Sequence, residues 1–209
     1  MRRFCFSFIG MIWLGLGSPA LGQVRVLCLG DSLTEGYMLS KAQAWPALVE
    51  TALTQKGYKV TLLNAGISGS TTASGSSRLQ WHLKGKEPAD ILILALGAND
   101  GLRGLDVAAA KKNLLATVKL AKQAKMSVLL VGMRIPPNYG AAYSESFHKI
   151  FGEIATEENI PLVPFLLEGV GGEPNLNLPD GIHPNEKGYK IVAETMLRAL
   201  EPLLKERLR

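Results

Sequence analysis

Five short apolar runs recur along the chain from residue 24 onward, and a segment with helical periodicity follows each of them. Their apolar positions do not alternate with polar ones, which is typical of strands covered on both faces. Strand–helix–strand units with right-handed crossovers build an open parallel sheet with helices on both sides. The pattern therefore predicts an α/β fold of three layers, α/β/α, around five parallel strands: Val24–Leu29, Val60–Asn64, Ile91–Leu96, Val128–Val131 and Leu162–Phe165.

The segments between the apolar runs predict the helices. Gly57 ends the first of these helices, and Pro161 separates Asn159, the end of the fourth helix, from the fifth strand. Glycine and proline commonly stand at helix ends. No internal repeat, linker or low-complexity tract interrupts residues 23–209, which are long enough to form one domain with its own core. The predicted helices are Ala44–Lys56, Ala73–Lys84, Val107–Lys125, Tyr143–Asn159 and Asn185–Arg207.

The first 22 residues have a different pattern from the rest. Met1-Arg2-Arg3 precedes a largely apolar run over residues 4–17, and small residues stand at positions 20 and 22. This is the layout of a secretory signal peptide. An uncleaved membrane anchor is the alternative, but a run of 14 residues is shorter than the ~20 needed to span a bilayer. We therefore expect residues 1–22 to be cleaved before Gln23, with export to the periplasm as a soluble protein that lacks a stable membrane anchor.

Charge and cysteine content narrow the class of partner. Cleavage would remove two arginines and no acid, so the net charge would fall from +5 to +3. The remaining basic residues are dispersed along helical segments, a pattern that does not favour a nucleic-acid partner. Cys28 lies inside an apolar strand and Cys5 would leave with the leader. We expect Cys28 to be a core residue, because an apolar setting raises the pKa of a thiol and makes it a poor nucleophile.

Polar residues and glycines follow each predicted strand. The carboxyl ends of parallel strands meet at one edge of the sheet, where ligand sites form in α/β proteins. A scaffold alone would not need such residues at every strand end. The segments, in chain order, are "GDS" at 30–32, "NAGISGST" at 64–71, "GANDGLRG" at 97–104, "MRIPPNYG" at 133–140 and "PDGIHPN" at 179–185.

These segments contain the residue types of a serine nucleophile with its base. Ser32 follows the first strand, and a serine hydroxyl needs an imidazole base and a carboxylate that orients that base. His183 lies three residues after Asp180 in a turn bounded by glycine and proline, whereas His82 and His148 lie within helical patterns. Each part also has a structural interpretation: Asp31 or Ser32 as a helix cap, and Asp180-Gly181 as a turn.

A serine nucleophile also needs hydrogen-bond donors for the oxyanion. The sequence offers the N–H groups of Ser32 and Gly66 and the side-chain amide of Asn99, all at predicted strand ends. Gly66 is equally consistent with a turn, and Asn99-Asp100-Gly101 is a typical turn sequence. The set as a whole is more specific than any of its members.

In order and spacing, these residues resemble the SGNH (GDSL-type) hydrolases. The likeness rests on Gly30-Asp31-Ser32-Leu33, Gly66, Gly97-x-Asn99-Asp100 and Asp180-x-x-His183, and covers essentially the whole chain. The blocks "AWPALV", "NDGLRG", "RIPPNYG" and "DGIHPN" are similar to the periplasmic branch of multifunctional acyl-CoA thioesterases, lysophospholipases and arylesterases. The resemblance implies a five-stranded sheet of flavodoxin-like order, a triad of Ser32, His183 and Asp180, and an oxyanion hole of Ser32, Gly66 and Asn99.

The expected function is a serine esterase that acts on small acyl esters and thioesters through an acyl-enzyme, as a monomer. The resemblance implies no cofactor or metal, and the sequence offers no close set of His, Cys and carboxylate ligands. A glycan O-deacetylase of the same fold is the nearest alternative. A nucleotide- or flavin-binding module is the alternative of another class, but the chain has neither G-x-x-x-x-G-K-[ST] nor G-x-G-x-x-G.

Apolar residues in the loops after the third, fourth and fifth strands favour an acyl chain over a sugar. Consecutive prolines at 136 and 137 stiffen the loop after the fourth strand, which suits a preformed wall. These residues could instead only pack the loops onto the core. The candidate acyl-binding residues are Leu102, Ile135, Pro136, Tyr139, Phe165 and Leu166.

Overall fold

A computed structural model of the chain describes residues 23–85 and 88–208. Its five strands form one parallel sheet in the order β2-β1-β3-β4-β5, which confirms the α/β class and the flavodoxin-like order. The strands are β1 (Val24–Gly30), β2 (Val60–Gly66), β3 (Ile91–Ala95), β4 (Ser127–Val131) and β5 (Leu162–Val163). The predicted signal peptide, residues 1–22, lies outside the described residues.

Helices cover both faces of the sheet. Helices α2 and α7 pack against each other on one face, and α3, α5 and α6 pack on the other. Short 3₁₀ turns occupy Lys41–Gln43, Thr72–Ser74, Pro137–Tyr139 and Pro174–Leu176. The helices are α1 (Ser32–Glu35), α2 (Trp45–Gln55), α3 (Gly75–Leu83), α4 (Ala98–Leu102), α5 (Val107–Gln123), α6 (Ala141–Glu158) and α7 (Glu186–Arg207).

The core is centred on β1 and β3, which lie between other strands and are covered by both helical layers. Every residue of β3 is buried, and Cys28 and Leu29 of β1 have no exposed surface. Burial strongly raises the pKa of the Cys28 thiol, and the charge of Glu50 raises it further. The expectation that Cys28 is a core residue is therefore confirmed.

Strands β1, β3 and β4 each differ from the sequence prediction by one residue at one end, whereas the ends of β2 and β5 differ from it by two residues. Strand β2 extends to Gly66, two residues beyond the predicted end, because its register with β1 continues to the pair Gly30–Gly66. Strand β5 has only two residues, since Pro164 has no N–H to donate to a ladder. Helices α1 and α4, with four and five residues, escaped prediction because so few residues carry no amphipathic period. In the described part of the chain, no helix is long and apolar enough to cross a membrane.

Candidate active site

Ser32 is the first residue of α1, directly after Asp31 at the carboxyl end of β1, which lies between β2 and β3 in the sheet. The Asp31 carboxylate accepts the N–H of Leu33 at 3.0 Å and caps this short helix, as the interpretation of Asp31 as a helix cap predicts. Burial raises the pKa of Asp31 to about 7, although the N–H of Leu33 and the nearby Arg78 guanidinium lower it. On the opposite side, the Tyr189 hydroxyl donates to the Leu33 carbonyl at 3.1 Å. The turn that carries Ser32 is thus fixed from both sides.

The structure brings Ser32, His183 and Asp180 together across 151 residues of sequence. The Nε2 atom of His183 lies 2.9 Å from the Ser32 hydroxyl, and its Nδ1 atom lies 2.8 Å from an Asp180 carboxylate oxygen. The other Asp180 oxygen accepts the N–H groups of Ile182 and His183, both at 3.0 Å. A hydroxyl, an imidazole and a carboxylate therefore form one chain of short contacts, the arrangement that activates a serine nucleophile.

The electrostatics of Asp180 suit the role of orienting carboxylate. Partial burial alone would raise its pKa, but the hydrogen bonds from the His183 ring and from the N–H groups of Ile182 and His183 outweigh this, and the pKa is lowered. Asp180 is therefore ionised at neutral pH and accepts hydrogen bonds. The Tyr37 ring lies against the outer face of the imidazole, with ring centroids 4.5 Å apart.

The loop from Asn177 to Asn185 holds Asp180 and His183 between β5 and α7. The Leu178 N–H donates to the His183 carbonyl at 2.7 Å and closes the loop at its base. Gly181 has a φ of 74°, a left-handed conformation that glycine adopts without a steric penalty. The Asn185 side chain then caps α7 by accepting the N–H groups of Lys187 and Gly188.

The cleft at Ser32 has a volume of about 230 Å³ and is lined by Ser32, Gly69, Asn99 and His183, among others. The Asn99 amide donates one hydrogen to the Ser70 carbonyl at 3.1 Å, which leaves its second hydrogen free for another acceptor. Gly69 has a φ of 77°. Within residues 23–85 and 88–208, no acceptor is bonded to the N–H of Ser32 or of Gly69. Three donors thus line the cleft beside the serine hydroxyl.

The prediction that Gly66 supplies an oxyanion donor is wrong. The Gly66 N–H donates to the Asn64 side chain at 3.0 Å, and Gly66 does not line the cleft. A Cβ atom at position 66 would lie 2.2 Å from the Glu35 nitrogen, so glycine is required here because α1 packs closely on the end of β2. Because β2 continues to Gly66, the loop that reaches the cleft begins after Gly66 and contains Gly69. The sequence signal was the second glycine of "NAGISGS", which is flanked by serines.

Sequence reasoning also missed the residues that hold the cleft loops together. The buried Asp100 carboxylate accepts both the N–H of Thr72, at 2.9 Å, and its hydroxyl, at 2.6 Å. The Arg103 guanidinium donates to the Gly69 carbonyl at 3.1 Å. These bonds link the loop after β2 to α4, so Gly69 and Asn99 hold a fixed relative position. The signal in the sequence was the pair of opposite charges in "NDGLRG", Asp100 and Arg103, for which the linear pattern indicates no partner.

A second cavity, of about 300 Å³, adjoins the cleft and is largely apolar. The two cavities share Leu33, Ala98, Leu102 and Ile182, so a chain bonded to a carbonyl at Ser32 could extend into the second one. Of the candidate acyl-binding residues, the structure places Leu102, Ile135, Pro136 and Phe165 on its wall.

The other two candidates lie elsewhere, and their assignment to the acyl wall is wrong. Leu166 is 1% exposed and packs in the core, because its N–H donates to the Gly132 carbonyl and turns the side chain inward. Leu167 lines the cavity in its place. Tyr139 stands outside the cavity, where its hydroxyl donates to the Leu102 carbonyl at 2.9 Å.

Among residues 23–85 and 88–208, no group of three or more His, Cys, Asp or Glu side chains is arranged to hold a metal ion. The absence of a cofactor or metal requirement stays a prediction.

A flavodoxin-like sheet with serine, histidine and aspartate at its carboxyl edge is the architecture of the SGNH class of serine hydrolases. The sequence pattern of the GDSL-like lipase/acylhydrolase family matches residues 28–191. The chain belongs to this family of hydrolases.

The chain is similar to known esterases and thioesterases over nearly their full length, which supports its membership of the family. Esterase TesA of Pseudomonas aeruginosa is 40% identical, and the match covers 98% of this chain and all of the relative. Thioesterase 1/protease 1/lysophospholipase L1 of Escherichia coli is 39% identical over 97% of this chain and 94% of the relative. A solved crystal structure of TesA superimposes with a TM-score of 0.82 at 39% identity, covering 86% of this chain and 99% of that one.

Proposed function

We propose that this protein is an exported serine esterase and thioesterase that hydrolyses small acyl esters through a triad of Ser32, His183 and Asp180. The observation that carries the proposal is the chain of contacts at 2.9 and 2.8 Å from the Ser32 hydroxyl through His183 to Asp180. Export rests on the signal-peptide pattern of residues 1–22.

The reaction follows from this geometry in two steps. The Ser32 oxygen attacks the ester or thioester carbonyl while His183 takes the hydroxyl proton at Nε2. His183 then gives that proton to the leaving alcohol or thiol as the bond to the acyl carbon breaks. Water attacks the acyl-enzyme with His183 as base, and the acid is released with Ser32 restored.

The oxyanion of each tetrahedral intermediate would be held by the N–H groups of Ser32 and Gly69 and by the Asn99 amide. The support is that all three residues line one cleft, and that the two N–H groups and the second amide hydrogen of Asn99 have no acceptor among the described residues. Backbone and amide donors fixed in advance stabilise the developing charge without reorganisation.

The adjoining apolar cavity supports acyl esters over acetylated glycans. Each methylene buried there would contribute about 0.8 kcal/mol, or roughly fourfold in binding, whereas a sugar would leave its hydroxyls without partners against this wall. The relatives named esterase and thioesterase/lysophospholipase support the same substrate classes. A nucleotide- or flavin-binding role has no comparable support.

A substrate panel tests the proposal. We expect turnover of p-nitrophenyl esters, acyl-CoA thioesters and lysophospholipids, and covalent labelling of Ser32 by an alkyl fluorophosphonate, seen by mass spectrometry of its peptide. Acetylated xylan is the comparison substrate for the glycan deacetylase. Preference for that polymer over octanoyl esters, or labelling at another residue, would overturn the assignment.

Asn99→Ala is expected to lower kcat by about 10²–10³-fold with little change in KM, as for the loss of one oxyanion donor. Steady-state kinetics on p-nitrophenyl butyrate provide the measurement. Asn138→Ala is the matched control, because Asn138 is an exposed asparagine of another loop at the same edge. A loss confined to KM would show that Asn99 binds the ground state and does not act on the oxyanion.

Leu167→Ala and Leu166→Ala form a matched pair on the acyl cavity. Leu167 lines the cavity and Leu166 does not, so Leu167→Ala should shift the preferred acyl chain to greater length. Leu166→Ala should instead lower the free energy of unfolding by about 2–5 kcal/mol and leave the chain-length profile unchanged. The profile is measured as kcat/KM from acetyl to lauroyl esters, and stability by urea unfolding. Equal profiles for both variants would mean that the acyl chain lies elsewhere.

A further inference from the structure

Exposed apolar side chains are concentrated at the edge of the sheet that carries Ser32. In the described part of the chain, eight large hydrophobic residues are exposed, and six of them lie on loops at this edge. The loops after all five strands contribute at least one each. We call this set the rim: Tyr37, Met38, Ile67, Leu105, Tyr139 and Ile182.

Met38 is the most exposed residue of the rim, at 78%. Its φ is 59°, in the left-handed region that non-glycine residues rarely adopt. The loop is held in this shape by hydrogen bonds from the Tyr37 N–H to Ser32 and from the Leu39 N–H to Gly36. The apolar side chain of Met38 is therefore exposed to solvent close to the turn that carries Ser32. Its backbone adopts a conformation that is unfavourable for a non-glycine residue.

Two residues of the rim also line the cavities described above. Tyr37 and Ile182 line the cleft at Ser32, and Ile182 also lines the apolar cavity. A partner that covers the rim would thus also meet the entrance of the cavity proposed for the acyl chain. Concentrated exposed apolar surface of this kind marks an interaction site.

Charged residues on the same loops carry both signs. Three basic and five acidic residues are exposed there: Lys41, Arg103 and Arg134, and Glu35, Asp106, Glu168, Glu173 and Asp180. This mixture gives no strong attraction to a surface of one charge, so apolar contact has to supply the affinity. A zwitterionic lipid surface fits such an edge.

We propose that the rim docks the enzyme onto the surface of assembled zwitterionic lipids, so that an acyl chain passes from that surface directly into the cavity. The second part of this inference, the entry of the acyl chain into the cavity, rests on the proposed function. Docking itself depends only on the rim and is measurable without turnover. Side chains such as Met38 and Ile67 would enter the interface between head groups and acyl chains.

The test uses vesicles of phosphatidylcholine with lysophosphatidylcholine and the Ser32→Ala protein, which leaves the lipid intact. The rim variant combines Met38→Ser, Ile67→Ser and Leu105→Ser, none of which lines the cleft or the cavity. The control combines Leu63→Ser and Trp81→Ser, at residues that are 47% and 71% exposed away from this edge. Co-sedimentation should show a partition coefficient lowered about tenfold or more by the rim variant and unchanged in the control.

A second arm keeps Ser32. The rim variant should hydrolyse soluble p-nitrophenyl acetate within about twofold of the parent protein and lose about tenfold on micellar lysophosphatidylcholine. Failure of the parent to sediment with vesicles, or equal losses in the control, would overturn docking. A rim variant that instead dissociates a dimer in sedimentation velocity would assign the rim to a second copy of the chain. Absence of all ester turnover would contradict the proposed function alone, since vesicle binding is measured independently.

Discussion

Ser32→Ala is expected to lower kcat by about 10⁴-fold or more on every ester, with the fold intact. The substitution removes the one oxygen that would form the acyl-enzyme, and it leaves the N–H of residue 32 and the rest of the cleft in place. Ser32 is 9% exposed, and the helix cap is made by Asp31 and not by Ser32. Loss of the hydroxyl should therefore cost catalysis and little stability. Burst kinetics with p-nitrophenyl acetate and circular dichroism measure the two effects.

Cys28→Ser is the control for this prediction. The Cys28 thiol is fully buried in β1, and burial raises its pKa, so it cannot serve as a thiolate nucleophile. We expect this variant to retain turnover and to lose some stability, since a hydroxyl replaces a thiol in an apolar core. An active Ser32→Ala enzyme beside an inactive Cys28→Ser enzyme would refute the assignment of the nucleophile.

The position of the triad could be predicted because strand ends in a parallel sheet share an edge. Ser32 and His183 are far apart in sequence, yet Ser32 closely follows the first apolar run, and His183 follows the fifth one after a loop over residues 166–178. The order of the strands did not follow from periodicity and came from the family resemblance. The structure then added contacts that a linear pattern does not contain, such as the bond between Tyr189 and the Leu33 carbonyl.

The wrong predictions for Gly66 and Leu166 have local physical causes. Gly66 and Gly69 differ by three residues, and only the register of β2 with β1 decides which of them belongs to the loop. Leu166 and Leu167 are both apolar, and the direction of each side chain depends on a loop hydrogen bond to Gly132. Hydrophobic periodicity cannot distinguish the two residues of either pair, because it shows only which face of a regular helix or strand is buried.

Asp180→Asn is expected to lower kcat by about 10⁴-fold without unfolding the protein. The Asp180 oxygen that accepts the Ile182 and His183 N–H groups at 3.0 Å can be kept by the asparagine carbonyl, so the turn should persist. The amide NH₂ would then face Nδ1 of His183. A donor at that position favours the tautomer with its proton on Nε2, and this tautomer cannot accept the proton of Ser32.

The pKa of Asp180 makes this prediction testable over a wide pH range. Because its pKa is lowered in the folded protein, Asp180 is ionised at every pH above its ordinary value of about 4. The deficit of Asp180→Asn should therefore stay large from pH 6 to pH 8, measured as kcat on p-nitrophenyl butyrate. Asp106→Asn is the matched control, since this substitution removes the same charge at the same edge. Asp106 caps α5 by accepting the Ala109 N–H. Similar losses of kcat in both variants would show that Asp180 acts only through its negative charge near the site. A loss confined to Asp180→Asn would show that it acts by fixing the imidazole tautomer.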